Sequence, residues 1–401
     1  MGTSTRLEGL AIQVKQAKLP EGWRKVRFDQ MAESISDRVD NPSEANVSYY
    51  VGLEHLDPDS LKIRRWGTPD DVEATKLRFK SGDIIFGRRR AYQRKVAVAE
   101  FEGICSAHAL VLRAREETVL KDFLPFFMQS ETFFERAMSI SVGSLSPTIN
   151  WKTLSQQEFV IPPKDEQRRI ADILWAVDET IITWEKVVQE SVVLLNTLIN
   201  ASISNNQDDH LVKLQEVCTR ITDGTHLPPQ FAQQGIPFLL VSNLASGKID
   251  WNVSKWITEE TYRELTKRMK PEFGDVLYTA VGSYGVPVLI TWDQPFAFQR
   301  HIAILKPKKD VLDGAYLTYF LKSSLGKKQA ELSAVGNAQK TITLGSLSNF
   351  EIPIPPLGKQ KQIVERINEV NTAIVLASKH PQISKQLKSE ALKQLVSGEL
   401  R

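Results

Sequence analysis

The sequence predicts an α+β protein made of two related globular units joined by two long helices, and three observations predict it. The chain repeats itself at a fixed offset, each copy is a run of short strands punctuated by Gly, Pro and Asp, and each copy ends in Pro-Pro followed by heptad-spaced apolar residues. Helices with such a seam most simply bury it against each other. An antiparallel coiled coil would relate the two units by a pseudo-two-fold axis. The other reading is that each helix packs onto its own unit.

The repeat comes first. Residues 108–170 lie on 301–363 at a constant offset of 193 without a gap, with 18 of 63 positions identical. The identities include Val142-Gly143 with Val335-Gly336, Thr148-Ile149 with Thr341-Ile342, Leu154-Ser155 with Leu347-Ser348, and Pro162-Pro163 with Pro355-Pro356. One residue out of that offset, Gly82-Asp83-Ile84-Ile85-Phe86 matches Gly274-Asp275-Val276-Leu277-Tyr278. The period is far longer than the roughly 20 to 50 residues of a solenoid unit. It is the size of a domain and its connector.

Each copy opens on a short amphipathic stretch, from Leu19 to Phe28 and from Leu211 to Leu214. Strand-like segments follow at Ser48 to Leu53, Asp83 to Phe86, Lys95 to Ala99 and Ala109 to Leu112. Their counterparts are Phe238 to Ser242, Asp275 to Tyr278, Val286 to Thr291 and Ile302 to Leu305. Short β-rich runs of this kind read as a compact mixed sheet and not as alternating βαβ units. One helix is expected over Leu120 to Ser139 and its counterpart over Leu312 to Leu332. A polar loop then carries Gly143 to Thr148 or Gly336 to Thr341, and a closing strand ends in Pro-Pro, which opens a helix well.

The first long helix has an apolar seam at Ile170, Leu174, Val177, Ile181, Trp184, Val188, Leu195 and Leu198, with Ser191 as a polar exception. About 40 residues at roughly 1.5 Å each would make a rod of about 60 Å. The second begins alike, with Ile363, Ile367, Val370, Ile374 and Ala377, until His380-Pro381 intervenes. Proline inside a helix removes a hydrogen bond. A kinked or two-piece helix is expected there, its seam resuming at Ile383, Leu387, Leu392 and Leu395.

Composition excludes several classes. Hydrophobic content of 42% and charged content of 25% are ordinary for a globular protein. Met1 to Lys18 lacks the apolar core of a signal peptide, and no run is long enough to span a bilayer, so a cytoplasmic chain without membrane contact is expected. Cys105 and Cys218 do not occupy matching positions and read as buried thiols, without a disulfide or metal role. Phosphate-binding, dinucleotide, zinc-protease and serine-hydrolase motifs are missing, as is the Asn-Pro-Pro-Tyr type of motif of amino-methyltransferases. No catalytic residue, cofactor or metal is predicted. His108 and His301 hold equivalent positions before an apolar strand and read as structural, ordering its start.

A net charge of +3 does not announce a nucleic-acid binder, so local clusters must carry that argument. The main cluster is Arg88, Arg89, Arg90, Tyr92, Gln93, Arg94 and Lys95, directly after a predicted strand. Arginine grips guanine edges with two hydrogen bonds, glutamine does so for adenine, and further cations neutralise phosphates. At this place the second copy has Thr279 to Gly285, including Ser283 and Tyr284, polar and Gly-rich without the charge. Equivalent loops with different chemistry suit two readers of different sequences. Thr225, His226, Gln299 and Arg300 are further candidates in the second copy.

Several motifs in order carry a family resemblance. They are Leu19-Pro20-Glu21-Gly22-Trp23; the two Gly-Asp strands; Ile161-Pro162-Pro163 with Glu166 to Ile170; Ile354-Pro355-Pro356 with Gln360 to Ile363; and the ending Leu392 to Leu400. On these the chain resembles the specificity subunit of type I restriction-modification enzymes. The resemblance implies a target-recognition domain over 1–163, a central helix over 164–208, a second recognition domain over 209–356 and a C-terminal helix over 357–401; the kink expected near Pro381 is a departure from the family's uninterrupted helix. It implies a non-catalytic subunit whose domains each read half of a split sequence in double-stranded DNA, with the coiled coil setting the gap. It further implies two adenine-methyltransferase subunits as partners, which a restriction and translocase subunit can join. The alternative is a coiled-coil scaffold that organises partner proteins without sequence readout; a fused enzyme would need a motif that is absent.

Overall fold

The computed structural model describes residues 19–204, 210–267, 269–336 and 339–397. The chain forms two compact units. One ends at Thr183 and takes in the chain again from His380; the other runs from Trp184 to Lys379. These limits differ from the sequence boundaries at 163, 208 and 356 because the helices bury apolar residues in the globular cores. Ile170, Ala171 and Leu174 lie in the first core, and Ile199, Ile203 and Ile367 in the second.

Among the described residues each unit has three small sheets in place of the one expected. In the first unit, Arg24–Arg27 pairs antiparallel with Glu158–Ile161, so the Pro-Pro strand closes onto the unit's opening strand. Leu211–Lys213 and Glu351–Pro353 repeat that closure in the second. A four-stranded sheet in the order Ala32–Ile35, Ala109–Ala114, Ile84–Gly87, Val96–Val98 carries the first unit's basic loop. Its counterpart runs Cys218–Asp223, Ile302–Pro307, Val276–Thr279, Pro287–Leu289. A further sheet in each unit adds one parallel pair, Tyr50–Val51 with Gly103–Ser106 and Ile236–Leu239 with Ala297–Phe298.

The repeated Gly-Asp has a physical cause. Gly82 and Gly274 turn the chain with φ of 88° and 91°, a region that favours glycine. Asp83 and Asp275 then accept from the backbone N–H groups of Lys80 and Glu272, both at 2.8 Å. Each buried carboxylate also pairs across the sheet, Asp83 with Arg113 at 2.8 Å and Asp275 with Lys306 at 2.5 Å. The turn, its lock and its counter-charge were duplicated together.

The single helices expected after the last strands are each two. Leu124–Gln129 and Glu131–Ser139 meet at Ser130; Gly314–Lys322 and Ser324–Ser333 meet at Ser323. Each serine hydroxyl accepts from a backbone N–H of the following helix, and donates to the Phe127 or Phe320 carbonyl at 2.6 Å. An N-cap of this kind contributes roughly 1 kcal/mol. The aromatic core beside the break includes Phe28, Phe127, Phe133 and Phe159, each contributing roughly 2 to 3 kcal/mol by burial.

The helix Lys164–Ser204 is continuous, whereas the second is in two pieces, Leu357–Ala377 and Lys379–Ser397. Pro381 sits in the first turn of the later piece, where a backbone N–H has no partner within the helix, so proline is tolerated. Of the proposed seam, Ile170, Leu174, Ile181 and Ile367 are buried, while Val177, Trp184, Val188, Ile363, Val370 and Ile374 are half-buried. Beyond Pro381 the expected seam fails at Ile383 and Leu387, which are 51% and 61% exposed, while Leu392 packs against the first core. The buried face instead carries Pro381, Lys388 and Val396, because a carboxylate on the first helix, Asp178, holds Lys388 at 2.6 Å. The side chain of Leu395 lies outside the described residues, as do 1–18, Asn337, Ala338 and the chain end from Gly398.

Candidate nucleic-acid interface

In the first unit the loop after Ile84–Gly87 is closed by the Gly87 N–H, which donates to the Lys95 carbonyl at 2.9 Å. A Cβ at Gly87 would press on that of Lys95 at 3.2 Å, which is why glycine ends this strand. Between them a short 3-10 turn, Ala91–Gln93, is flanked by Arg90 and Arg94 with φ of 53° and 54°. Left-handed backbone at residues with a Cβ is disfavoured and marks a constrained loop.

The constraint comes from a second loop. Arg89 bridges to Thr148, and the Ile149 and Ala91 N–H groups donate to the Arg88 and Pro147 carbonyls at 3.0 and 3.4 Å. Arg89 Nε also donates to Ser146 Oγ at 3.0 Å. The segment from Val142 to Thr148 therefore forms a wall beside the basic loop, with Leu145 93% exposed. Sequence reading did not name this wall. The signal was present: Ser144 to Pro147 differs from Asn337 to Lys340 between identical Val-Gly and Thr-Ile flanks.

The seven basic-loop candidates divide by partner. Arg94 is held by Asp59 at 3.2 Å, Glu131 at 2.5 Å and the Gln129 carbonyl at 2.7 Å, and lies over the Phe134 ring. Arg88 donates to the Ala107 carbonyl, and Lys95 to the Leu53 carbonyl. Arg89, Arg90 and Tyr92 are exposed, and Gln93 is half-buried. Arg89 Nη1 lies 3.2 Å from His108 Nε2. Burial first, then the charges of Arg89, Arg88 and Lys76, lower the His108 pKa, so the neutral ring accepts this bond.

In the second unit the structure brings three separated segments together. Thr225 bridges to Gln299, the Arg300 N–H donates to the Thr225 carbonyl at 3.1 Å, and the Ala280 N–H donates to the His301 carbonyl at 2.8 Å. A Cβ on Gly224 would run into the Phe298 carbonyl, so glycine permits this approach. His226 is exposed and sits 3.0 Å from Asp223; Arg300 and Ser283 are exposed, while Tyr284 packs against the core. Thr279 Oγ1 donates to the Ser283 carbonyl and accepts from the Val286 N–H, shaping the Gly-rich loop. Among the described residues the contact between loops recurs, with Val281 bridged to Thr341 and the Gly282 N–H donating to the Lys340 carbonyl.

Cys105 and Cys218 are buried and free, and burial pushes both thiols up to about 12. Among the described residues no three His, Cys, Asp or Glu side chains are placed to hold a metal, and no helix is long and apolar enough to cross a membrane.

The two units thus present one frame with two chemistries, and comparison with known proteins gives that frame a family. The profile of the type I restriction modification DNA specificity domain matches residues 20–192 and again 210–388. The chain is similar to the specificity subunit of the type I restriction enzyme MjaVIII of Methanocaldococcus jannaschii, 23% identical over 96% of this chain and 94% of that one. It is also similar to the EcoDI specificity subunit of Escherichia coli, 29% identical over 46% of this chain and 41% of that one. Its fold is shared with a solved chain of a type I R-M system, at a TM-score of 0.64 with 22% identity over 94% and 98% of the two chains. The HsdS subunit from Thermoanaerobacter tengcongensis superposes at 0.52 with 23% identity over 96% and 99%. Matched by the profile in both of its halves, the chain belongs to the type I restriction-modification DNA specificity family.

Proposed function

We propose that each unit of this DNA-specificity subunit reads one half of a bipartite duplex target, with the paired loops of each unit as the reading surface. One observation carries the reading: the loop after the equivalent strand holds exposed Arg89, Arg90 and Tyr92 in the first unit and exposed Ser283 in the second, where exposed His226 and Arg300 lie on the two further segments brought together there. Phosphate contacts supply affinity and salt dependence, whereas base contacts supply sequence choice. Arg88, Arg94 and Lys95 act mainly by shaping the first loop, since each is bonded within the protein. Gln93, Thr225, Tyr284 and Gln299 complete the proposed surface.

In this reading the helices Lys164–Ser204 and Leu357–Ala377, with Lys379–Ser397, act as an antiparallel coiled-coil spacer between pseudo-symmetric recognition domains. The apolar seam and the buried Asp178–Lys388 pair support it. The chain is non-catalytic and works in the cytoplasm with two methyltransferase subunits, which place methyl groups on adenine, and with restriction subunits. Selection from random duplex pools, by the chain with its methyltransferase subunits, is expected to enrich a split motif with a fixed gap. Enrichment of no motif, or of a single unsplit one, sinks the reading.

A further inference from the structure

A cavity of about 610 Å³ opens in the second unit beside the helix Gly314–Lys322 and the strand Pro287–Leu289. Trp251 and Trp292 line it, their rings meeting edge to face at 5.3 Å. Among the described residues the lining also holds two lysines, Lys248 and Lys322, and no carboxylate. Burial, together with the charges of Lys248 and Lys327, lowers the Lys322 pKa. Lys248 is exposed and Lys322 half-buried, so two like charges face one cavity, where a bound anion would offset their repulsion. Trp292 Nε1 is buried without an acceptor, and Asn368 accepts from Tyr319 Oη at 2.5 Å, which leaves its amide nitrogen to donate.

Part of this lining has counterparts in the first unit. At the offset of 193, Tyr319, Lys322 and Asn368 correspond to Phe126, Gln129 and Trp175. In the first unit the Trp175 ring stands edge-on to Phe126 at 4.9 Å, and its Nε1 donates to the Asp122 carbonyl. The short Asn368 amide takes the place of that indole beside Tyr319 and lines the cavity.

We propose that this cavity binds a mononucleotide, its phosphate on Lys248 and Lys322 and its base against Trp251 and Trp292. The volume falls within the roughly 300 to 1,000 Å³ of small-ligand sites. Two ammonium groups facing one cavity favour an anion there, and an indole wall favours a flat π-face. This assignment does not rest on the DNA reading of the loops.

Titration of AMP into the full chain, followed by tryptophan fluorescence and calorimetry, is expected to show saturable sub-millimolar binding. Lys322→Met is expected to weaken it about tenfold, a factor worth about 1.4 kcal/mol, with the unfolding temperature held. Asn368→Trp, which restores the packing of the first unit, is expected to abolish it. Absence of binding by the folded chain, or unchanged binding in both variants, overturns the proposal. Adenosine binding as tightly as AMP overturns the role given to the lysines. A single-stranded oligonucleotide that displaces AMP, and is itself weakened by both variants, overturns a free nucleotide as ligand and assigns the cavity to a nucleotide of DNA.

Discussion

Gln167 and Gln360, 193 positions apart, make the same three hydrogen bonds in their respective units. The side-chain carbonyl accepts from the Leu120 N–H at 2.8 Å in one and from the Asp313 N–H at 2.9 Å in the other. The amide nitrogen donates to Thr118 and Pro162, or to Val311 and Pro355. Both residues are fully buried. Each fastens the first turn of a long helix to the Pro-Pro strand before it and to the loop leading into the paired helices.

Replacing Gln167 by Leu keeps the volume but strands a buried N–H and two carbonyls. The expected loss is about 3 kcal/mol or more, since three groups are stranded and each buried polar group left unpaired costs roughly 1 to 3. Gln360→Leu should cost the second unit a similar amount. Denaturant unfolding with a reporter in each unit checks this; a loss below half a kilocalorie would mean that water replaces the amide.

The pair Asp178 and Lys388 is 5% and 4% exposed, with Lys388 also 5.4 Å from the Phe126 ring. Lys388→Met leaves the carboxylate buried and unpaired, at an expected cost of about 3 to 5 kcal/mol to the first unit. The double variant Asp178→Leu, Lys388→Met should recover most of it. Additive losses in the double-mutant cycle would show that the pair is not coupled.

Arg89 and Arg90 are expected to act on DNA and Arg94 on the fold. Alanine at both exposed positions should weaken binding at one half-site and lower the melting temperature less than Arg94→Ala does, since Arg89 gives up its bonds to Ser146 and His108 while Arg94 gives up three partners. The salt slope should fall by about one for each phosphate no longer neutralised. Arg94→Ala should instead lower the melting temperature, since it strips Asp59 and Glu131 of their partner. Equal weakening at both half-sites would reduce the loop to an electrostatic anchor.

Stability of the first unit should depend on His108 as pH falls. Its pKa lies below the ordinary 6.5 in the folded chain, so the unfolded chain takes up a proton first. The contribution is intact above 6.5 and is lost as pH falls from there through the folded value. His108→Gln should flatten the melting temperature between neutral and mildly acid pH; an unaltered slope would place the titration elsewhere.

A heptad inserted near the middle of Lys164–Ser204 adds about 10 Å, the rise of about three base pairs, and keeps the seam in phase. The unspecified gap in the selected motif should lengthen while the half-sites stay the same. A constant gap would remove the spacer role.

What was legible came from local chemistry repeated twice. Gly82-Asp83 and Gly274-Asp275 mark a positive-φ turn with its own acceptor, and Pro-Pro marks the end of a strand and the start of a helix. Ser130 and Ser323 were equally visible as identities, yet a serine inside an apolar run reads as helix until its hydroxyl is seen capping one. The seam beyond Pro381 misled because Ile383 and Leu387 are apolar and in phase. The face actually buried holds a lysine, whose charge is tolerated only because Asp178 meets it.

The sequence by itself determined the duplication, the α+β class, the family motifs and the place of the divergent loops, since these depend on neighbours within a few residues. Tertiary structure alone decided which cations are available. Arg94 meets Asp59 and Glu131 across separations of 35 and 37 residues, while Arg89 and Arg90 remain exposed. It also placed Asn368 in the lining of a cavity, where its counterpart Trp175 packs on Phe126. Partnership and packing are set by distance in space, and spacing along the chain does not record it.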